Sequence, residues 1–234
     1  MTGLLSKIGR HMLSLTTMVL YERSIEDVAS LVIGSAEGLV CRELSARDRA
    51  TLERLLAVQR MRETTFQPTF GIEDVDERLQ SGERCFVCED GDSIAGYIWF
   101  TTKGKYIREI DATVQLKEGD VYAYNAYVDQ EYRGRNITPS ILVAASRAFL
   151  AGGFRRLFLV TMSWNENTHR TLRKADFLRV GNLRAGYFAT LRFAANTCGD
   201  VTVSPNAGTF EFYGKLFRKI AAALSTSTAH GRMV

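Results

Sequence analysis

The sequence predicts an α/β domain in which a mixed sheet carries helices on both faces. Three observations carry this expectation. Strand and helix patterns follow one another as strand, two helices, a run of strands, helix, strand, helix, strands, over roughly residues 38–220. Arg84–Glu89 and Ser93–Thr101 flank Gly91-Asp92, which is the signature of a hairpin. Phe158–Met162 is an apolar run of strand length.

Taken in order, residues 1–37 read as an N-terminal helical arm. Within it, Met12–Leu20 is largely apolar and follows Lys7, Arg10 and His11. A basic amphipathic helix of this kind lies on a membrane, on another subunit or on its own domain. Gly34 and Gly38 punctuate its end. Leu39–Leu44 is a short strand, and Ser45 caps a helix reaching about Met61, with Leu52, Leu55, Leu56, Val58 and Met61 at helical spacing. Thr64–Gly71 is a loop, Glu73–Gln80 a second helix, and the hairpin follows. Lys103–Gly119 reads as a polar loop and Val121–Val128 as a strand. After the charged turn Asp129–Asn136, a helix runs from Thr138 or Pro139 to about Ala151, where Gly152-Gly153 stops it. Asn165–Ala175 is a helix and Leu178–Phe193 is rich in strand. Phe210–Tyr213 reads as a strand, with a short amphipathic helix to Leu224 and a flexible tail over 221–234.

Bulk properties exclude several classes. Of 234 residues, 46% are apolar and 24% charged, so the chain can bury a core and is not built like a disordered one. The net charge of +4 is spread along the chain, which argues against a nucleic-acid partner. The four cysteines, Cys41, Cys85, Cys88 and Cys198, form no zinc spacing, so no metal is expected; such sparse cysteines suit a reducing, cytoplasmic setting, with any membrane contact peripheral. No apolar run approaches the ~20 residues a spanning helix needs.

The chemistry concentrates at Val128–Leu142. A strand ends, Arg133-Gly-Arg-Asn136 turns, and a helix begins. Gly134 and Asn136 both tolerate positive φ. Such a loop can turn successive backbone N–H groups to one point in front of a helix start, making a nest for pyrophosphate. Arg133 and Arg135 add charge-assisted hydrogen bonds. With Tyr132-Arg-Gly-Arg135, the apolar strand at 158–162 and Asn165 through Phe177 in that order, the sequence resembles the GNAT superfamily of acyl-CoA-dependent N-acyltransferases over about residues 39–193.

The resemblance implies a mixed, mostly antiparallel central sheet in which the strand before the loop splays from its neighbour. Acetyl-CoA or another acyl-CoA, as co-substrate, would lie in the gap. Backbone groups of Ala126, Tyr127 and Val128 would hold the pantetheine and thioester. Arg133, Gly134, Arg135, Asn136, Ile137, Thr138 and Ser140 would surround the pyrophosphate. Asn165 or Asn167 would bond the pantetheine, and Arg170 would reach the nucleotide. The implied activity is acyl transfer to a primary amine of a small molecule, with acetyl as the simplest acyl group; a long-chain transferase fed by acyl-CoA or acyl carrier protein, and an inactive CoA-binding regulator, are the alternatives.

Four residues depart from the family pattern: Asn136 and Thr138 replace loop glycines, Leu172 stands where a tyrosine usually protonates the leaving thiolate, and Asp176 stands where a glycine is usual before Phe177. No carboxylate lies inside the strand 121–128, so Tyr122, Tyr124 and Asn125 are the candidate catalytic residues. Strict alternation puts Tyr122 and Tyr124 on one face and Asn125 and Tyr127 on the other. Phe66, Phe70 and Trp99 are the candidate acceptor wall, and His169 is expected on the solvent side of its helix. Contact with a membrane or subunit through residues 1–36, and a homodimer, complete the expected partners.

Overall fold

In a computed structural model, residues 13–34, 38–65, 67–188, 191–196 and 202–205 are described. The strands are β1 (Leu13–Ser24), β2 (Leu39–Glu43), β3 (Arg84–Asp90), β4 (Ser93–Thr101), β5 (Lys105–Ile107), β6 (Ala112–Gln115), β7 (Asp120–Val128), β8 (Arg156–Met162), β9 (Leu178–Phe188), β10 (Leu191–Asn196) and β11 (Thr202–Pro205). The helices are α1 (Ile25–Ala29), α2 (Arg49–Arg62), α3 (Glu73–Gln80), α4 (Ile137–Ala151) and α5 (Glu166–Lys174). The main sheet runs β10-β9-β1-β8-β7-β4-β3-β2. Among its described residues only β7 and β8 pair in parallel. The expected mixed, mostly antiparallel sheet is therefore present.

One face of this sheet carries α1, α4 and α5, over a core that includes Val121, Ala123, Ile141, Leu142, Phe149, Leu157 and Leu172. The opposite face is covered in two parts. Helices α2 and α3 lie over Cys85, Val87, Tyr97, Trp99 and Tyr127. Beside them, Ile107, Ile110, Ala112 and Val114 pack on Tyr122 and Phe158. Cys85 and Cys88 point to opposite faces, so they do not converge on a shared ligand.

Two expectations are corrected. The described part of the arm is helical only over Ile25–Ala29: Leu13–Ser24 is a strand seated between β8 and β9, paired antiparallel to both. Met18 and Leu20 enter one core and Val19 and Tyr21 the other. A strand buried on both faces reads as an unbroken apolar run, which carries no period to separate it from a helix. The sheet thus draws on residues from both sides of the expected 37/38 boundary, and these four side chains are not available to a membrane. The presumed loop 103–119 contains the β5–β6 hairpin, with β11 paired to β6. Residues 1–12, Phe66, Phe210–Tyr213, Leu224 and the tail 221–234 lie outside the described residues, as do His11, His230 and Cys198. Among the described residues no helix is long and apolar enough to cross a membrane.

Candidate functional site

The site begins with a break in the sheet. β7 and β8 pair only from Asp120↔Arg156 to Ala123↔Leu159. β7 then keeps its other partner, β4, to Val128, while β8 keeps β1 to Met162. From Tyr124 onward, one edge of β7 faces a gap. The cause is local. Asn125 adopts φ 46°, and the β4 register shifts by one residue between Tyr97↔Tyr127 and Trp99↔Tyr124. This is a bulge, which bends a strand and re-aims its side chains.

The bulge also overturns the strict alternation. Tyr127 joins Tyr97 and Trp99 beneath α2 and α3, on the face that Tyr124 also contacts. Gly96 permits the close approach there, because a Cβ would stand 2.7 Å from the Tyr127 carbonyl oxygen.

At the open end of the gap stands the loop. Gly134 (φ 84°) and Asn136 (φ 57°) are both left-handed, as expected. Asn136 precedes Ile137, where α4 starts one or two residues earlier than the sequence indicates. Pro139 lies in the first turn, where amides have no intrahelical partner and a missing N–H costs nothing. Thr138, Pro139 and Ser140 are half-buried, whereas Arg133 to Asn136 are exposed. Arg133 is held by the Glu63 carboxylate, and its Nε also donates to Val128 O at 3.3 Å. Arg135 lies over the Tyr132 ring at 5.3 Å.

The helix after β8 is arranged as follows. Asn165 caps α5, its Oδ1 accepting from Thr168 N at 3.2 Å. Asn167 and Arg170 are exposed. His169 is buried at 7% exposure, contrary to expectation. Its Nε2 lies 3.1 Å from the Ser163 carbonyl, which can only accept, so Nε2 carries the proton and Nδ1 accepts from Tyr21 O–H at 2.9 Å. This histidine ties α5 to β1. Leu172 is 1% exposed and packs in the core, not towards the gap.

On the α2–α3 side of β7 the structure brings together residues the sequence did not connect. Tyr124 O–H donates to a Glu83 carboxylate oxygen, Lys105 pairs with the other oxygen, and Lys105 Nζ reaches the Tyr124 hydroxyl at 3.2 Å. Burial pushes the Tyr124 hydroxyl well above its ordinary value, and its bond to Glu83 adds to this. Asn125 Nδ2 donates to Thr69 Oγ1 at 2.6 Å. Tyr122 is fully packed and burial likewise raises its hydroxyl, which leaves Tyr124 and Asn125 of the three candidates in this cluster. A polar cavity of ≈ 310 Å³ opens beside them, lined by Thr69, Asp74, Glu77, Arg78, Ser81, Glu83 and Lys105.

The expected acceptor wall is corrected in part. Phe70 and Trp99 are 3% and 0% exposed and meet edge to face at 5.7 Å. They are core, and the Arg78 guanidinium lies over the Phe70 ring at 4.2 Å. Glu83 and Arg78 were missed because each depends on a long-range contact. The one local signal was the run of charges around the start of β3.

The profile of the acetyltransferase (GNAT) family matches residues 55–177. No curated protein matches. Among solved structures, a conserved protein of unknown function from Staphylococcus epidermidis superposes with a TM-score of 0.53 at 14% identity, covering 79% of this chain and 65% of its own. A Drosophila protein gives 0.50 at 12% identity, covering 80% and 57%. An N-acetyltransferase from Staphylococcus aureus Mu50 gives 0.46 at 19% identity, covering 59% and 82%. The chain thus spans less than two thirds of the length of the first two, and at their identities the likeness of those two speaks to fold alone.

Proposed function

Since the chain belongs to the GNAT acetyltransferase family, we propose that it transfers an acyl group, in the simplest case acetyl, from acyl-CoA to a primary amine of a small molecule. The observation that carries this is the parallel ladder ending at Ala123, with the Arg133–Asn136 loop and the start of α4 at the mouth of the gap. A groove with unpaired strand edge on one side can hold the amides of a pantetheine arm. A helix start offers its orphan N–H groups and a partial positive charge to pyrophosphate.

In this reading Ala126, Tyr127 and Val128 hold the pantetheine and thioester through their backbone. Gly134, Asn136, Ile137 and Thr138 present the nest, Arg133 and Arg135 add charge, and Ser140 supports the first turn. Asn165 keeps its amide nitrogen to offer, since its oxygen caps α5; Asn167 and Arg170 extend the outer rim.

Transfer needs the acceptor nitrogen to lose a proton, attack the thioester carbonyl and expel thiolate. Positioning and a backbone N–H on the carbonyl oxygen supply most of the advantage. The proton goes to the Glu83–Tyr124 pair: Tyr124 takes it as its own proton passes to Glu83, so no free phenolate is required. The buried Leu172 supplies no acid, and a thiolate is a good enough leaving group to depart without one near neutral pH.

The test is calorimetric titration of the purified chain with acetyl-CoA, then with thioesters of increasing chain length. Micromolar binding with a rise in melting temperature is expected. No heat and no stabilisation at millimolar ligand would overturn the reading.

A further inference from the structure

The cavity beside Tyr124 contains a guanidinium whose hydrogen-bonding capacity the protein does not use up. Arg78 lines it. Its guanidinium carbon sits 4.2 Å from the Phe70 ring centroid, 5.0 Å from Trp99 and 5.6 Å from Tyr124. Its Nη1 is buried and has no hydrogen-bond partner. A buried donor left unpaired is a standing cost, and guanidinium never sheds its charge to escape it.

The carboxylates around it do not resolve this. Asp74 Oδ2 accepts from the Gly71 amide at 2.7 Å. Glu83 is taken by Tyr124 and Lys105. Lys105, the other cation of the cavity, is spent on the same two groups. Three aromatic rings crowd the guanidinium carbon, and the group still carries an N–H donor that a carboxylate can take. Glu77 meanwhile lines the same cavity. A cavity with one unspent guanidinium donor and a carboxylate close by suits a ligand carrying both signs. It suits a dianion poorly, because Asp74, Glu77 and Glu83 all line it.

We propose that Arg78 is a specificity-determining residue for the acceptor, and that the acceptor class is an amine that also bears a carboxylate, an amino acid or a close relative. The inference rests on the acyltransferase reading. With the carboxylate on Arg78, the amine end is left towards Tyr124, whose hydroxyl is joined to Glu83. This polarity accounts for both charges of the cavity at once.

The test measures equilibrium binding to the full chain saturated with CoA, using matched pairs of amines with and without the carboxylate, such as lysine against cadaverine and phenylalanine against phenethylamine. In the unaltered protein the carboxylated member of at least one pair is expected to bind at least tenfold more tightly. Arg78→Gln removes the preference, Arg78→Lys keeps part of it, and Arg78→Glu reverses it towards the diamine. CoA affinity, measured on every variant, reports that the fold and the loop are intact. If CoA binds but no carboxylated amine is preferred, or if the preference survives Arg78→Gln, the assignment of Arg78 is overturned while the acyl-CoA reading stands. If CoA does not bind to the unaltered chain, that reading falls, and the assignment of Arg78 falls with it.

Discussion

Arg133, in the loop ahead of α4, is ion-paired with Glu63, the residue that ends α2. The two ends of the pair differ: the Arg133 side chain is 50% exposed and that of Glu63 is 10% exposed. An arginine assigned to phosphate is therefore already engaged by a carboxylate. Binding must exchange one anion for another.

Removing the competitor should help. Glu63→Gln is expected to tighten acetyl-CoA binding by up to about fivefold, since a half-exposed ion pair is worth about 0–1 kcal/mol. The gain should shrink as salt is raised. Isothermal titration at two ionic strengths checks this, and weaker binding in Glu63→Gln would assign Glu63 a supporting role.

Glu83 and Tyr124 make the second case. Glu83→Gln is expected to lower kcat by roughly a hundredfold or more, in the range of a lost general base, with acetyl-CoA affinity unchanged. Tyr124→Phe should cost less, because water can bridge where the hydroxyl stood. Steady-state thiol release reads both. A Glu83→Gln enzyme as fast as the original would move proton removal elsewhere.

Leu172 tests the opposite idea, that activity awaits a missing tyrosine. The side chain is 1% exposed in the core with Ala175 and Phe177. Leu172→Tyr is expected to overpack and to lose about 1–3 kcal/mol, with no gain in turnover. Leu172→Ala should lose about 2–5 kcal/mol through the cavity it leaves. Urea unfolding distinguishes these outcomes from a rescue of activity.

Asp48 gives a prediction about acid. It receives two bonds from Arg42 at 2.7 Å and one from Ser45 N at 2.6 Å. The Arg42 guanidinium is the main reason its carboxyl is held well below the carboxylate range. A carboxyl so lowered favours the folded chain at every pH above its unfolded value of about 3.9, and that contribution fades as the pH falls beneath it. Asp48→Asn should cost about 1–3 kcal/mol at pH 7, and the difference between the two proteins should narrow below pH 4. Thermal melts from pH 7 to 3 read the narrowing directly.

What the sequence disclosed follows from the range of each signal. Helix α3 and the hairpin of β3 and β4 were legible because a helical stretch stopped by Ser81-Gly82 and a Gly91-Asp92 turn are local. The loop was legible for the same reason: left-handed backbone at Gly134 and Asn136 follows from their own residue types. The place of β1 was not, since its position depends on partners at 156–162 and 178–188. Nor was the bulge at Asn125, a single extra residue that moves Tyr127 to the face of Tyr97 and Trp99. Phe70 was a candidate for the acceptor wall that composition could not separate from core, and packing makes it core. Its neighbour Arg78 carries the polarity instead.

The seat of β1 has a consequence for how the protein is made. Its partners begin at Arg156, about 130 residues further along the chain. A ribosome releases β1 first, yet its slot does not exist until β8 and β9 have emerged. Such distant pairing is slow, and an unpaired strand with apolar residues on both faces is exposed to aggregation while it waits. Expression should therefore be more sensitive to fusions and truncations before Ser24 than to changes of similar size in the β5–β6 hairpin.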